Sequence, residues 1–252
     1  MIDVARRISL LKYLFGVYPS VWQLPNAVKI LEFNELTKVF SPDEGTKVLD
    51  LGCGKGLQTQ LLASRGAKVF GVEPNEKRYK LAQREVRWSR AKRDVSFFHG
   101  TLDQAPFEDG SFDSVVSFCV LEHIPNLDEV LQRLHRLLRK GGQLHATVDS
   151  LSNIEDNDLI EKHRNEHSVV EYFTPQTVDD RLRGAGFEVL EKRHILTSDM
   201  AKQMLVNELK TGNYWMPPDV RSKYYSELVE AETQAPSETG TMILVRAQKA
   251  EA

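Results

Sequence analysis

The chain has 252 residues, enough for one generous domain or a domain with an appendage; 41% hydrophobic and 27% charged residues make it ordinarily globular. A net charge of -3 supplies no global attraction to nucleic acid or anionic lipid, and two cysteines in unrelated segments, Cys53 and Cys119, imply no disulfide scaffold. A reduced, cytoplasmic setting fits, with no export signal or transmembrane segment expected, because Lys12 and Pro19 interrupt the apolar stretches near the N-terminus.

The first 45 residues read as a helical preface. From Thr46 onward, short apolar runs alternate with helical patterns. Lys47 to Leu51 reads as a buried strand, Leu57 to Arg65 as a helix closed by Gly66, and Ala67 to Val72 as a second strand. A charged-faced helix follows from Glu76, then strands over Val95 to His99 and Phe112 to Phe118. Leu127 to Arg139 forms a helix ended by Gly141-Gly142, and Gln143 to Val148 a fifth strand. Pro175 to Ala185 is a helix and Phe187 to Ile195 a strand; Thr241 to Val245 is the last strand. Residues 196–240, helical in pattern, split that final pair. Such alternation predicts a doubly wound α/β fold around a parallel sheet with right-handed crossovers.

The stretch Val48 to Gly56, VLDLGCGKG, ends the first strand in a loop nearly stripped of side chains. A phosphate-gripping P-loop fails here, because Lys55 is followed by Gly56 and not by Ser or Thr. A dinucleotide loop, Gly-x-Gly-x-x-Gly, fits poorly: counted from Gly52 and Gly54, the third glycine comes one residue early. Asp50, two residues before Gly52, would repel a pyrophosphate but suit an ammonium group, while the helix N-terminus after Gly56 favours a carboxylate. Glu73 ends the second strand where an acidic side chain can take both ribose hydroxyls. An amino-acid zwitterion joined to a nucleoside meets all three demands, and S-adenosylmethionine is such a molecule.

VLDLGCGKG, VFGVEPN, HGTLDQAPFEDGSFDSVVSFCVLEHI and LLRKGGQLHATV together resemble the class I S-adenosylmethionine-dependent methyltransferases, in the group that includes quinone-biosynthesis enzymes. The resemblance runs from Thr46 to Val148 and resumes at EYFTPQTVDDRLRGAGFEVL. It implies a Rossmann-like, seven-stranded, mainly parallel sheet with an antiparallel last strand, formed by residues 46–252 behind an N-terminal cap. It also implies that Gly52, Cys53, Gly54 and Gly56 lie along the methionine part of the cofactor, with Asp50 on its amino group and Glu73 on its ribose. Asn75 would lie over the adenine. Relatives often carry Asp where this chain has Thr101, so Thr101, the Leu102 backbone or Asp103 would read the adenine here. Phe118 and Cys119, at the end of the fourth strand, would sit beside the methyl group.

On the acceptor side, His123 in the loop Phe118 to Pro125 is the candidate general base, since its pKa lies near working pH. The motifs of adenine or glutamine amino-group methylation and of cytosine C5 methylation are missing from that loop. Cys119 reads better as a small packed residue than as a nucleophile. His163 and His167 stand four apart with no evident third ligand, so no metal site is expected and His167 is taken as substrate-lining. Tyr18 and Trp22 before the sheet, and Tyr214 and Trp215 in the 196–240 insertion, are expected to line a lid over an apolar or aromatic small molecule. A dimer interface would use the same aromatics. The cations of Glu76 to Arg93 would serve an RNA-modifying rival, but Glu76 and Glu85 interrupt them and a solvated helix is favoured. The expectation is methyl transfer, to oxygen first, on a small organic acceptor; an RNA or protein methyltransferase and a non-catalytic cofactor-binding module are the rivals.

Overall fold

The computed structural model describes residues 19–87, 89–236 and 238–250. Its seven strands are β1 Lys47–Leu51, β2 Lys68–Glu73, β3 Val95–His99, β4 Phe112–Phe118, β5 Leu138–Asp149, β6 Phe187–Ile195 and β7 Met242–Lys249. They form one sheet in the order β3-β2-β1-β4-β5-β7-β6. Pairings from β3 through to β5 are parallel, whereas β7 runs antiparallel to both neighbours, β5 and β6. The strand order reverses between β1 and β4, so their carboxyl ends open the crevice where doubly wound sheets take ligands.

Neighbouring residues of β1 serve opposite faces of the sheet. Leu49 packs with Leu131 and Leu134 of α4 (Leu127–Leu137) and Leu182 of α6 (Pro175–Gly184). Val48 packs with Phe33 and Leu36 of α1 (Ala27–Val39) and Leu62 of α2 (Leu57–Ala63). Both faces of β1 are thus covered, as its unbroken apolar run requires. The other helices are α3 Glu76–Val86, α5 Asn157–His167, α7 Asp199–Thr211 and α8 Pro218–Gln234. None of the described helices is long and apolar enough to cross a membrane.

Two boundaries differ most from the sequence reading. The α4 helix stops at Leu137, and Leu138 already begins β5, which runs through both glycines that were expected to end the helix. A Cβ on Gly142 would come 2.9 Å from the Arg139 carbonyl and 3.0 Å from that of Asp113, so this glycine permits close strand approach at a register shift in β4–β5. The basic segment is also divided: α3 ends at Val86, and Arg90–Arg93 form a separate 3-10 turn whose Ala91 N–H donates to the Ser89 hydroxyl. Its cations therefore share no single helix face.

The α7–α8 insertion folds against the N-terminal segment. Arg221, nearly fully buried, donates to the carbonyls of Trp22 and Met216, and the Met216 N–H donates to the Pro25 carbonyl at 2.9 Å. The Asn34 amide donates to the Tyr225 hydroxyl at 2.8 Å, and the Trp22 ring meets Tyr225 edge-on at 5.4 Å.

Candidate functional site

The glycine loop is held by its surroundings. Gly52 and Cys53 donate backbone N–H groups to the Val72 carbonyl, at 2.9 and 3.1 Å. Gly52 and Gly56 have positive φ, of 71° and 74°, and a Cβ on either would lie 2.5 Å from a neighbour, Val120 or Phe97 respectively. Gly56 also abuts Ala82 of α3, so it allows helix and strand to pack closely, one residue earlier than in the dinucleotide fingerprint. Gly54 has nothing within 4 Å of its would-be Cβ, and it faces an open cavity.

The two predicted acids brace this loop instead of lining the cavity wall. Asp50 is 1% exposed and accepts the Thr59 hydroxyl at 2.6 Å, one turn into α2. Burial, opposed by that hydrogen bond and reinforced by Glu73, pushes its pKa up to about 7. Glu73 accepts the Gly54 N–H at 2.9 Å and the Asn75 N–H at 2.8 Å. Asn75 caps α3 by accepting the Arg78 N–H. Thr101 donates its N–H to Gln104 at the start of a short 3-10 turn, where Leu102 is buried.

The cavity, about 840 Å³, runs from Gly54, Lys55 and Gln58 to Phe118 and Cys119 and on to His123, Asp149 and Glu208. Of the residues expected there, Gly54, Phe118, Cys119, His123, His167, Tyr214 and Trp215 lie on its wall. Trp22 does not, because its ring is turned to Tyr225, and Tyr18 falls outside the described residues. Cys119 holds a left-handed φ of 51° while its N–H donates to the Thr147 carbonyl at 3.0 Å. Burial, then the charge of Glu32, raises its thiol well above the ordinary value, which makes it a poor nucleophile. His123 Nδ1 lies 3.4 Å from the Ser168 carbonyl; a carbonyl only accepts, so Nδ1 carries the hydrogen and Nε2 keeps its lone pair.

Beyond Cys119 stands a polar group that sequence reasoning missed. Lys29 of α1 lines the cavity and pairs with the fully buried Glu32 at 2.7 Å; Glu32 also accepts the Thr147 hydroxyl at 2.5 Å and the Cys119 thiol at 3.2 Å. Cys119 Sγ and the carboxylates of Glu122 and Asp149 lie within 4.8 Å of one another, the one such convergence of His, Cys, Asp and Glu among the described residues. Glu122 is wholly buried, with no hydrogen-bond partner for either carboxylate oxygen among the described residues. Burial, then Asp149, raises its pKa, and burial pushes Asp149 up to about 6. His163 Nε2 is 3.7 Å from Asp149, its Nδ1 is 2.9 Å from the Tyr172 hydroxyl, and its ring is 4.5 Å from that of His167. The i, i+3 spacing of Lys29 and Glu32 was the available signal, but a helix outside the sheet gave no reason to look inward.

Residues 49–146, from the end of β1 into β5, match the family model described as methyltransferase domain. Residues 49–146 form an S-adenosylmethionine-dependent methyltransferase domain. Its cofactor is S-adenosylmethionine. The chain is 26% identical over 192 residues to a ubiquinone biosynthesis O-methyltransferase of Agrobacterium fabrum, covering 73% of this chain and 76% of the relative. Among solved structures, a putative sarcosine dimethylglycine methyltransferase from Galdieria sulphuraria is similar at TM-score 0.66 and 16% identity, over 99% of both chains. The cyclase SpnF is similar at TM-score 0.67 and 17% identity, over 99% of this chain and 96% of that one. At such identities the structural likeness speaks for the methyltransferase fold alone, and a cyclase on that fold shows how far chemistry departs from architecture.

Proposed function

We propose that this methyltransferase transfers its methyl group to an oxygen of a small, largely apolar or aromatic acceptor held in the 840 Å³ cavity. One observation carries the reading: a single continuous cavity joins Gly54 of the glycine loop to Phe118, Cys119 and an imidazole, His123, with a free Nε2 lone pair. Gly52, Cys53, Gly54 and Gly56 hold the methionine part of the cofactor; Asp50 and Glu73, which brace that loop from behind, set its shape for the amino group and the ribose, and Asn75, Thr101 and Leu102 flank the adenine. The acceptor hydroxyl attacks the methyl carbon in line; the carbon–sulfur bond breaks, its electron pair stays on sulfur as S-adenosylhomocysteine forms, and the hydroxyl proton passes to His123 Nε2. Oxygen is favoured because the curated relative above is an O-methyltransferase.

The α7–α8 insertion acts as a lid, since Tyr214 and Trp215 lie on the cavity wall and Arg221 fastens the insertion to the N-terminal segment. The test is transfer of labelled methyl from S-adenosylmethionine to a panel of phenols and alcohols. Wild-type protein labels at least one of them, and His123→Ala lowers single-turnover rate by about a hundredfold with cofactor affinity intact. An unchanged rate in that variant would remove His123 as base.

A further inference from the structure

The charges lining the cavity are unevenly divided. At the glycine-loop end stand Lys55, Arg78 and Glu85. Around Cys119 the wall carries Asp149, Glu208 of α7 and Lys29, whose ammonium is already matched by Glu32 at 2.7 Å. Behind Asp149 lies Glu122, fully buried and without a partner for either oxygen among the described residues. His163 does not balance this excess: burial, then the charge of His167, holds its pKa down to about 4, so the ring is neutral. Burial pushes Glu208 up to about 7; Lys29, whose ammonium is shared with Glu32, pulls it down, and Asp149 pushes it up by less. A buried acidic group with one shared cation relieves its cost by taking up protons, and a second positive charge on a ligand would hold it ionised.

We propose that the acceptor carries a cationic amine besides its nucleophilic oxygen, and that Asp149 and Glu208 bind the ammonium while Tyr214 and Trp215 cover the apolar body. The inference rests on the methyl-transfer reading and narrows its substrate class to hydroxylated amines. The sulfonium of the cofactor is the other cation that could enter here, so the test uses S-adenosylhomocysteine, which lacks that charge.

Calorimetry on protein saturated with S-adenosylhomocysteine compares three phenols that differ in side-chain charge: tyramine, 4-ethylphenol and 3-(4-hydroxyphenyl)propionate. Tyramine is expected to bind about tenfold or more tighter than 4-ethylphenol, with the propionate weakest. Glu208→Gln shrinks the tyramine preference to about threefold or less and leaves the affinity for S-adenosylhomocysteine unchanged. Equal affinities, a preference for the propionate, or no binding of tyramine would overturn the proposal. So would Mg²⁺ alone binding wild-type protein, but not Asp149→Asn, and abolishing the tyramine preference, because a metal would then be the missing cation. The two readings fail separately: labelled methyl transfer without a charge preference removes the amine, whereas a tyramine preference without transfer to any acceptor removes the methylation chemistry.

Discussion

Two acid pairs stand at the carboxyl edge of the same sheet and are treated oppositely. Asp50 and Glu73, at the ends of β1 and β2, are held by hydrogen bonds: the Thr59 hydroxyl donates to one Asp50 oxygen, and the N–H groups of Gly54 and Asn75 donate to the two Glu73 oxygens. Glu122 and Asp149, beyond β4 and at the end of β5, are as deeply buried, yet Glu122 has no hydrogen-bond partner among the described residues and Asp149 faces a neutral imidazole. The first pair is part of a scaffold shaped before any ligand arrives. The second shares one cation, Lys29, with Glu32, and burial raises the pKa of both its acids, so it is the pair that a cationic ligand would change most.

That contrast can be broken by substitution. The largest effect is expected from Lys29→Met, which strands Glu32 in the core; melting should show a loss of about 3 kcal/mol. An unchanged midpoint would mean that Glu32 does not depend on that lysine. Next comes Gly52→Ala, where the left-handed backbone and the approach of Val120 at 2.5 Å should together cost about 2 kcal/mol in chemical denaturation. A sharper comparison pairs two like substitutions. Glu73→Gln loses an accepted N–H and should destabilise the free protein by about 1 kcal/mol, whereas Glu122→Gln removes an unmatched carboxyl and should stabilise it by a similar amount. Shifts of the same sign in both would erase the distinction.

The smallest effect concerns pH and a group far from both pairs. His145, 1% exposed and stacked on Phe40, is held by burial, and then by Arg246, down to about 3. Its folded pKa is depressed from 6.5, so its contribution is complete above pH 6.5 and is lost as pH falls toward 3. Between pH 6.5 and 5.5, His145→Phe should therefore lose less stability than wild type, by up to about 1 kcal/mol. Parallel curves for the two proteins would exclude that origin.

The strand–helix alternation, the glycine loop and the acids at the ends of β1 and β2 were legible in the sequence because each is a local pattern on the sheet itself. β1, β3, β4 and β6 fall on the residues expected of them. The cluster around Cys119 was not legible. It draws Lys29 and Glu32 from α1, Cys119 and Glu122 from the loop after β4, Asp149 from β5 and Glu208 from α7, segments up to 179 residues apart that only the tertiary fold brings to one cavity. Trp22 misled for the same reason: an aromatic residue near the sheet looks like lining until Tyr225 takes its ring.

The most direct test of this division is calorimetric titration of S-adenosylhomocysteine into wild-type protein and two folded variants, Asp50→Ala and Glu208→Gln. Affinity should fall about tenfold or more in the first and stay within about twofold of wild type in the second. Full affinity in Asp50→Ala together with a collapse in Glu208→Gln would mean that the cofactor occupies the acidic end and that the two halves have been assigned the wrong way round.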